Sequence, residues 1–340
     1  MPPTCNAVCT SGQRRELPMQ PFPDQTFTRA DLLIRPAQAN DRVALETIAA
    51  QIWDGNDYLP RVLDTWLNDP YDGFFVATLR DRVIGVCKIT RLDEGEWWLE
   101  GLRVDPAFQG HGFGRILHHF AVNHVRQHGE GVLRFSTSSE NSAVQRLARE
   151  TGFSRVAVFI PLGADVLDEP PAHLAPLTPA DAPRIRAWLD RSAHFAACQR
   201  SLEWDWSFYF LTDARLAERL AAGLVYGWAT PDAPQGLRGL LIANSTERDR
   251  WPDQPVLKIA YLDAAPADLT ALAQDARRLA TQLGRVYVRV KALDQPDVLS
   301  ACEAAGFRCE SDHHVYLYTR EVSLTAHAKV RLDELPPLSR

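Results

Sequence analysis

Residues 100–115 read EGLRVDPAFQGHGFGR, a run in which a strand passes through a glycine-rich loop into a helix. The apolar pattern up to Val104 predicts the strand, and Pro106 ends it because proline cannot donate a hydrogen bond to a neighbouring strand. The glycines after Gln109 allow the backbone to approach a ligand and to adopt positive φ. Amide N–H groups at the N-terminus of the helix that follows, predicted over 112–128, form an anion site. The run therefore predicts a pyrophosphate-binding loop.

Two other interpretations of this loop compete with that prediction. A tight strand–helix connection uses the same glycines without any ligand. A dinucleotide-binding turn requires the first β-α unit of a parallel sheet and an acidic residue about 20 positions further on. Here the loop follows a predicted hairpin and a third strand, and Gly129 and Glu130, at about that distance, end a helix. The pattern therefore disfavours a dinucleotide.

The segments on either side of the loop predict a mixed α/β domain with a hairpin-rich sheet. The predicted strands are 32–35, 74–79, 83–89, 97–104, 132–136 and 156–160, and the predicted helices are about 40–52, 112–128 and 142–150. Gly152 closes the last of these helices as a C-terminal cap. Because hairpins come first and β-α-β crossovers follow, we expect a sheet that is mixed rather than wholly parallel.

The same pattern recurs in the second half of the chain, after a stretch with linker composition at 163–172. Residues 34–41 are echoed by residues 174–181, and Thr151-Gly152-Phe153 is echoed by Ala305-Gly306-Phe307. An internal repeat of this length indicates two copies of one fold, although chance similarity of short strings is the alternative. We therefore predict a catalytic domain at 31–162, a degenerate second domain at 173–322 and a tail at 323–340.

Composition and charge narrow the functional classes. The formal net charge is −6 and no Lys/Arg run is present, which argues against a surface that tracks nucleic-acid phosphates. No apolar run approaches the roughly 20 residues needed to cross a bilayer, and a secretory signal is not recognisable. The six cysteines form no CxxC pair, so we expect reduced thiols in a cytoplasmic enzyme without a metal.

The first 30 residues lack hydrophobic periodicity and are rich in polar residues and proline. Such composition predicts a disordered leader. Only Met1 and Met19 are methionines in this chain, and a translational start at Met19 is the hypothesis that explains the leader.

The run from Val104 to Gly114 resembles the coenzyme A loop of the GCN5-related N-acetyltransferases (GNATs). The family pattern Gln/Arg-x-x-Gly-x-Gly/Ala is matched by Gln109, Gly112 and Gly114, and Asn141 with the following helix resembles a second family segment. The resemblance covers residues 32–162, and it extends over 174–320 only by topology. It implies an α/β (α+β) architecture of two tandem GNAT folds, each a mixed and mostly antiparallel sheet with flanking helices, with the C-terminal copy degenerate.

The resemblance implies acetyl-CoA as co-substrate, bound where two strands splay apart. Backbone groups of Leu102, Arg103 and Val104 would pair with the pantetheine arm. Asn141 would lie near the pantetheine or the 3′ side, and Arg115 would assist the loop. The implied pyrophosphate-binding residues are Gln109, Gly110, His111, Gly112, Phe113 and Gly114.

The reaction implied by the resemblance is direct attack of an amine on the thioester. The ammonium must first lose a proton, and a carboxylate near the splayed strands serves as base. Glu100 is the candidate, since by strand alternation it shares a side with Leu102 and Val104. Glu96 is the second choice, and a merely solvated strand carboxylate is the alternative.

One position departs from the family pattern. Many members carry a tyrosine in the helix after Asn141 that protonates the departing thiolate, and Ala148 stands there in this chain. Water, Tyr58 or Ser138 would have to supply that proton.

Residues 54–66, together with residues 99–104, also resemble histidine N-acetyltransferase-like members of the family. This implies a free amino acid or small amine as acceptor, with Asp57 binding its ammonium and Tyr58 lining the pocket. The alternative for Asp57 is a helix cap. We expect no nucleic-acid or membrane partner, and a monomer or homodimer.

The second copy lacks a phosphate loop, because its predicted helix begins almost at once after Pro266 and no Gln-x-x-Gly-x-Gly motif is present. We expect it to shape the acceptor pocket rather than to bind coenzyme A. Its aromatic run, Trp204, Trp206, Phe208, Tyr209 and Phe210, either walls that pocket or belongs to the core. Two further functions remain open: a protein or peptide N-acetyltransferase, and a non-catalytic acyl-CoA sensor, which Ala148 favours.

Overall fold

The computed structural model describes residue 28 and residues 31–71, 73–230, 233–244 and 255–324. The predicted leader therefore lies outside the described residues apart from Thr28, as does the predicted tail from residue 325 onward. None of the described helices is long and apolar enough to cross a membrane.

The first half begins with a strand and two helices, continues through a three-stranded meander and closes with β-α-β crossovers. Its elements are β1 (Leu32–Pro36), α1 (Arg42–Ala49), α2 (Leu59–Leu67), β2 (Phe74–Leu79), β3 (Arg82–Asp93), β4 (Glu96–Val104), α3 (Phe113–His128), β5 (Gly131–Ser138), α4 (Ser142–Glu150) and β6 (Ser154–Asp165). The predicted elements of this half are all present, and α4 has the predicted bounds.

The second half repeats this order with insertions. Its elements are β7 (Leu174–Pro176), α5 (Ala182–Arg191), α6 (Ala193–Ala197), β8 (Ser201–Trp204), β9 (Ser207–Phe210), α7 (Asp213–Ala221), β10 (Val225–Thr230), β11 (Ala233–Ala243), β12 (Val256–Ala264), α8 (Pro266–Gln282), β13 (Tyr287–Leu293), α9 (Pro296–Ala304), β14 (Arg308–Cys309) and β15 (Val315–Val322). The β8–β9 hairpin was not predicted, although the aromatic run that forms it was noted.

Thirteen strands of the described residues form one sheet, in the order β1-β2-β3-β4-β5-β15-β6-β13-β12-β11-β10-β7, with β14 also paired to β6. Only two of the pairs described are parallel, β4 with β5 and β12 with β13. The predicted mixed and mostly antiparallel sheet is therefore confirmed. Helices α1 and α2 cover one face of the first half, and α3 covers the other.

The two halves exchange strands at the centre of this sheet. The last strand, β15, lies between β5 and β6, with Val315 opposite Ser138 on one side and opposite Phe159 on the other. The far part of β6 in turn pairs with β13, from Phe159 opposite Leu293 to Asp165 opposite Tyr287. Each half thus borrows a strand from the other, and the sheet is continuous across both.

This exchange corrects the predicted domain boundary. The linker was expected to begin at residue 163, and the last strand of the first half was expected to end at residue 160. Instead β6 continues to Asp165, and Leu162 and Ala164 are buried in the hydrophobic core of the second half. Composition does not reveal this continuation of β6, because the added segment is only a few residues long. It becomes a buried strand only through contact with residues that are distant in sequence.

A buried ion pair reinforces the junction. The Glu96 carboxylate on β4 accepts hydrogen bonds from Arg134 on β5, from the Phe210 amide at 2.7 Å and from Arg215 at 2.6 Å. Burial lowers the pKa of Arg134 to about 10, even though Glu96 lies beside it. The partners come from both halves, so separating them would leave buried charges uncompensated.

We expect Leu317→Ala, in the middle of β15, to lower the free energy of unfolding by about 2–5 kcal/mol, because it empties a fully buried site. Denaturant unfolding followed by tryptophan fluorescence would measure this. The exposed Leu324 provides the control, since Leu324→Ala should change stability by less than about 0.5 kcal/mol. Because the two halves share one sheet, we also expect the whole protein to unfold in one cooperative transition. Two separate unfolding transitions, of which Leu317→Ala shifts the midpoint of only one, would contradict the shared sheet.

Candidate active site

The parallel strands β4 and β5 separate along their length and open a cleft. Their pairing runs only from Glu96 opposite Val132 to Trp98 opposite Arg134. Beyond Trp98 the two strands diverge, so residues 99–104 of β4 and residues 135–138 of β5 face each other across a gap. Backbone groups at such an edge can pair with an extended ligand as an added strand would.

A bulge at Gly101 changes which side chains face which side of β4. Four residues on β4, from Glu100 to Arg103, lie opposite only three on β3, from Lys88 to Val86. Gly101 has a φ of +70°, and a Cβ there would lie 2.8 Å from the Trp66 ring. A glycine is therefore needed for both the backbone conformation and the close approach.

The bulge corrects the parity argument for Glu100. Leu99, Leu102 and Val104 pack in the same core beneath α3, so Glu100, which follows Leu99, points to the opposite face. Glu100 therefore does not share a side with Leu102 and Val104, as strand alternation had predicted. It faces the side covered by α1 and α2.

Glu100 lies on the wall of a cavity in this cleft. Its carboxylate accepts a hydrogen bond from the Thr90 hydroxyl at 2.7 Å, and the residue is partly buried. A positioned, partly desolvated carboxylate beside the cleft is the arrangement that a general base requires. Glu96, the second choice, is instead 2% exposed and fully engaged in the ion pair at the junction, so it is not available as a base.

Asp57 and Arg103 form a buried ion pair. Both Asp57 carboxylate oxygens accept hydrogen bonds from Arg103, at 2.8 and 2.9 Å, and one also accepts the Leu59 amide at 3.0 Å. Burial alone would lower the pKa of the Arg103 guanidinium, but Tyr58 and Asp57 raise it above its usual value. The Asp57 side chain has no exposed surface. Its predicted role as a ligand for the acceptor ammonium is therefore corrected to a structural one.

Tyr58 lies on the cavity wall. Arg103 donates to its hydroxyl at 3.4 Å, and the Arg103 guanidinium lies 4.5 Å from the centre of its ring. The ion pair thus orients Tyr58, and Arg103 itself also reaches the wall.

The cavity measures about 700 Å³ and takes its walls from both halves. The first half supplies Glu100, Leu102 and residues 136–138 of β5, while the second half supplies the turn of the β8–β9 hairpin. The wall residues that sequence reasoning did not single out include Trp53, Lys88, Glu140, Val144, Asp205 and Ser207. Those from the second half lie far away in sequence, and no local signal marks them.

The glycine-rich loop forms the entrance to α3, as predicted. Gly110 and Gly112 have φ of +83° and +87°, and Gly112 caps the helix, which begins at Phe113. The Phe113 ring is buried against Phe108 and anchors the turn. The first amides of a helix have no intrahelical acceptor, so those of Gly114 and Arg115 can donate to an anion.

The remaining loop side chains make local contacts. The side-chain amide of Gln109 donates to the Val104 carbonyl at 3.2 Å. The Nδ1 atom of His111 lies 3.0 Å from the Gln109 carbonyl oxygen. Arg115 donates to Glu150 at 2.7 Å while remaining 39% exposed. The loop residues are not part of the cavity wall. Helix α3 contributes to that wall through His118 and Ala121.

Asn141 caps α4 by accepting the Val144 amide at 3.1 Å, and it lies on the cavity wall together with Ser138. Ala148 is fully buried in the core, so the position offers no proton to the cleft. His118 is also on the wall, but burial lowers its pKa to about 3. It is therefore neutral near pH 7 and cannot act there as a cationic acid.

The equivalent cleft of the second half is filled. Between β12 and β13 only about 20 Å³ remains, with Phe159, Phe208 and Tyr261 among its walls. That is room for about one water molecule. Helix α8 begins at Pro266, and no described residue between β12 and this helix has positive φ. The geometry agrees with the expectation that this copy lacks a phosphate loop.

We expect Asp57→Asn to lower the free energy of unfolding by about 3–5 kcal/mol, because it leaves the Arg103 guanidinium buried without its anion. Thermal and denaturant unfolding would measure the loss. Asp54→Asn is the matched control, since Asp54 is exposed and has a φ of +55°, which asparagine also tolerates. Unchanged stability with a raised acceptor KM in Asp57→Asn would instead restore the ligand role.

Comparison with known proteins identifies the family. The family model described as "Acetyltransferase (GNAT) family" matches residues 41–153. N-alpha-acetyltransferase RimI of Mycobacterium tuberculosis is 30% identical over 115 residues, which are 33% of this chain and 71% of that protein. Mycothiol acetyltransferase of Thermomonospora curvata is 32% identical over 123 residues, 36% of this chain and 38% of that protein. The histidine N-acetyltransferase of Oreochromis niloticus is 31% identical over 103 residues, 30% of this chain and 31% of that protein.

Solved structures extend the likeness to both halves. A GCN5-related N-acetyltransferase from Sphaerobacter thermophilus superposes with a TM-score of 0.58 at 15% identity, covering 88% of this chain and 98% of that one. A tandem GNAT protein from the clavulanic acid biosynthesis pathway gives 0.51 at 18% identity, covering 86% and 99%. At such identities the likeness concerns the fold. The chain spans less than two fifths of the mycothiol and histidine relatives, but it matches most of the mycobacterial RimI. This chain belongs to the acetyltransferase (GNAT) family, with the fold of the tandem members.

Proposed function

We propose that this protein is an acetyl-CoA-dependent N-acetyltransferase whose first half transfers the acetyl group to the amine of a small molecule, such as a free amino acid. The observation that carries this proposal is the position of Glu100. Its carboxylate lies on the wall of a roomy cavity where β4 and β5 separate.

Coenzyme A would occupy the gap between the two strands. The pantetheine arm would lie along residues 102–104, where the edge of β4 that faces β5 is no longer paired with that strand, and Asn141 would lie beside it. The pyrophosphate would bind at the N-terminus of α3, where the dipole of a 16-residue helix favours negative charge. Residues 109–114 would surround it, and Arg115, whose Nε donates to Glu150, would assist from the first turn of the helix.

The acceptor would enter from the face covered by α1 and α2. Glu100 would take a proton from the ammonium, since only the neutral amine is nucleophilic. The amine nitrogen would then bond to the thioester carbon and lose its second proton to water, the C–S bond would break, and the sulfur would leave with the bonding electrons. Ser138, Tyr58 or water would protonate this thiolate, because Ala148 cannot.

The shape of the site favours a small acceptor over a polypeptide. The cavity is bounded on one side by residues of the segment that precedes α2, Trp53, Asn56 and Tyr58, and on the other by the β8–β9 hairpin, whereas a polypeptide needs an open groove. The second half would accordingly be a non-catalytic wall, since its own cleft has room for about one water molecule. A sensor that binds acetyl-CoA without turnover remains the second candidate, and Ala148 is the residue that favours it.

We expect Glu100→Gln to lower kcat by about 10²–10⁴-fold, because the amide cannot accept the ammonium proton. The KM for acetyl-CoA should remain unchanged. The assay would follow coenzyme A release with purified protein and a panel of amino acids and amines, with products read by mass spectrometry. Glu140→Gln, at a second carboxylate on the same wall, should keep kcat within about twofold. Equal losses in both variants would contradict Glu100 as the base.

We expect Gly112→Ala to weaken acetyl-CoA binding by about tenfold, because alanine disfavours the left-handed backbone of the loop by about 1–2 kcal/mol. Isothermal titration calorimetry would measure the affinity. Gly223→Ala introduces similar strain at a φ of +67° with open space around it, far from α3 in sequence, and should leave the affinity unchanged. If the two variants bound acetyl-CoA equally well, the phosphate-loop assignment would be wrong.

A further inference from the structure

The β8–β9 hairpin of the second half is built onto the catalytic cleft of the first. The Phe210 amide donates to Glu96 on β4, and Phe208 packs against Trp98 with ring centres 6.3 Å apart. At the turn, the Ser136 hydroxyl on β5 donates to the Trp206 carbonyl. The hairpin thus delivers its turn, Asp205-Trp206, to the cavity wall.

The backbone of this turn is strained. Asp205 and Trp206 have φ of +51° and +74° in a two-residue connection that asparagine and glycine normally fill. A tryptophan gains no local hydrogen bond that would offset left-handed backbone. Such outliers cluster where ligands are held. Trp53, on the wall of the same cavity, also has a positive φ of +49°.

Several contacts hold Trp206 in place. Its amide donates to Glu203 at 2.8 Å, and Glu203 in turn pairs with Lys291 at 2.6 Å. The Trp206 ring stacks on His313, with ring centres 5.6 Å apart, and Lys291 lies 5.7 Å from its centre. Residues of the second half therefore hold the Trp206 ring in place, although the ring lies on the wall of the cleft in the first half.

The charges on the cavity wall favour a cationic ligand. The wall carries the carboxylates of Glu100, Glu140 and Asp205, and the cations of Lys88 and Arg103. The two cations are each engaged by a carboxylate that is not on the wall, Asp69 for Lys88 and Asp57 for Arg103. Lys258 lies 3.4 Å from Asp205. If these three ion pairs are all counted as neutral, the wall still carries the negative charges of Glu100 and Glu140, so it is acidic.

We propose that the tip of the β8–β9 hairpin selects the acceptor. Trp206 closes the far end of the site and limits acceptor length, and Asp205 attracts a second positive charge. The substrate class is then a compact amine that bears another cationic group, such as a diamine or a basic amino acid. The inference rests on the proposed function, since it names the acceptor of the same site.

The test compares the full-length parent protein with Trp206→Gly and Asp205→Asn in steady-state acetyl transfer. The acceptors are cadaverine, n-pentylamine, which has the same carbon chain without the second ammonium, and the longer spermidine. Trp206→Gly should raise the KM for cadaverine by at least about tenfold and improve turnover of spermidine, with the KM for acetyl-CoA unchanged. Glycine suits the left-handed backbone, so the melting temperature should not fall.

Asp205→Asn should reduce the preference for cadaverine over n-pentylamine by about threefold to tenfold, with n-pentylamine itself unaffected. The control is Asp81→Gly in the β2–β3 turn, where Arg80 and Asp81 also have positive φ, +47° and +69°. It relieves the same kind of strain away from the cavity and should leave all acceptor constants unchanged.

Unchanged acceptor selectivity in both hairpin variants, with the parent active, would overturn this proposal alone. A lower melting temperature in Trp206→Gly, with parallel losses for acetyl-CoA and all acceptors, would also overturn it by marking a structural role. A parent protein that binds acetyl-CoA in calorimetry but acetylates no amine would contradict the proposed function, and the hairpin proposal with it.

Discussion

Each half of this chain completes its sheet with a strand from the other. Without β15, the facing edges of β5 and β6 would expose rows of unpaired backbone N–H and C=O groups. Without the far part of β6, β13 would lose its antiparallel partner. The halves therefore cannot separate without breaking the centre of the sheet, and their relative placement is set by hydrogen-bond register.

That placement explains why the cleft of the first half has a wall from the second. With β15 fixed beside β5, the β8–β9 hairpin lies over the opening between β4 and β5. The Glu96 carboxylate then pairs with Arg134 from its own half and with Arg215 from the other. Burying the Glu96 carboxylate alone would be costly. Paired with arginines from both halves, it links the halves beside the cleft.

The two clefts also show how one topology serves two roles. In both halves a parallel strand pair diverges, β4 from β5 and β12 from β13. The first pair leaves a cavity of about 700 Å³, and the second leaves about 20 Å³. The difference lies in the connection after the strand, where a glycine-rich loop precedes α3 and Pro266 directly starts α8, and in the side chains that fill the second gap.

Neighbouring residues along the chain were enough to predict the glycine-rich loop at 109–114, the bounds of α4, the repeat and the mixed sheet. These follow from local periodicity and from residues with special backbone preferences. Tertiary structure alone decided the rest. The Gly101 bulge turned Glu100 to the face opposite Leu102, and Arg103 paired with Asp57. The aromatic run left wall and core both open for Trp206, and only the fold puts it on the cavity wall. Register, burial and ion pairing join residues far apart in sequence, so no local pattern records them.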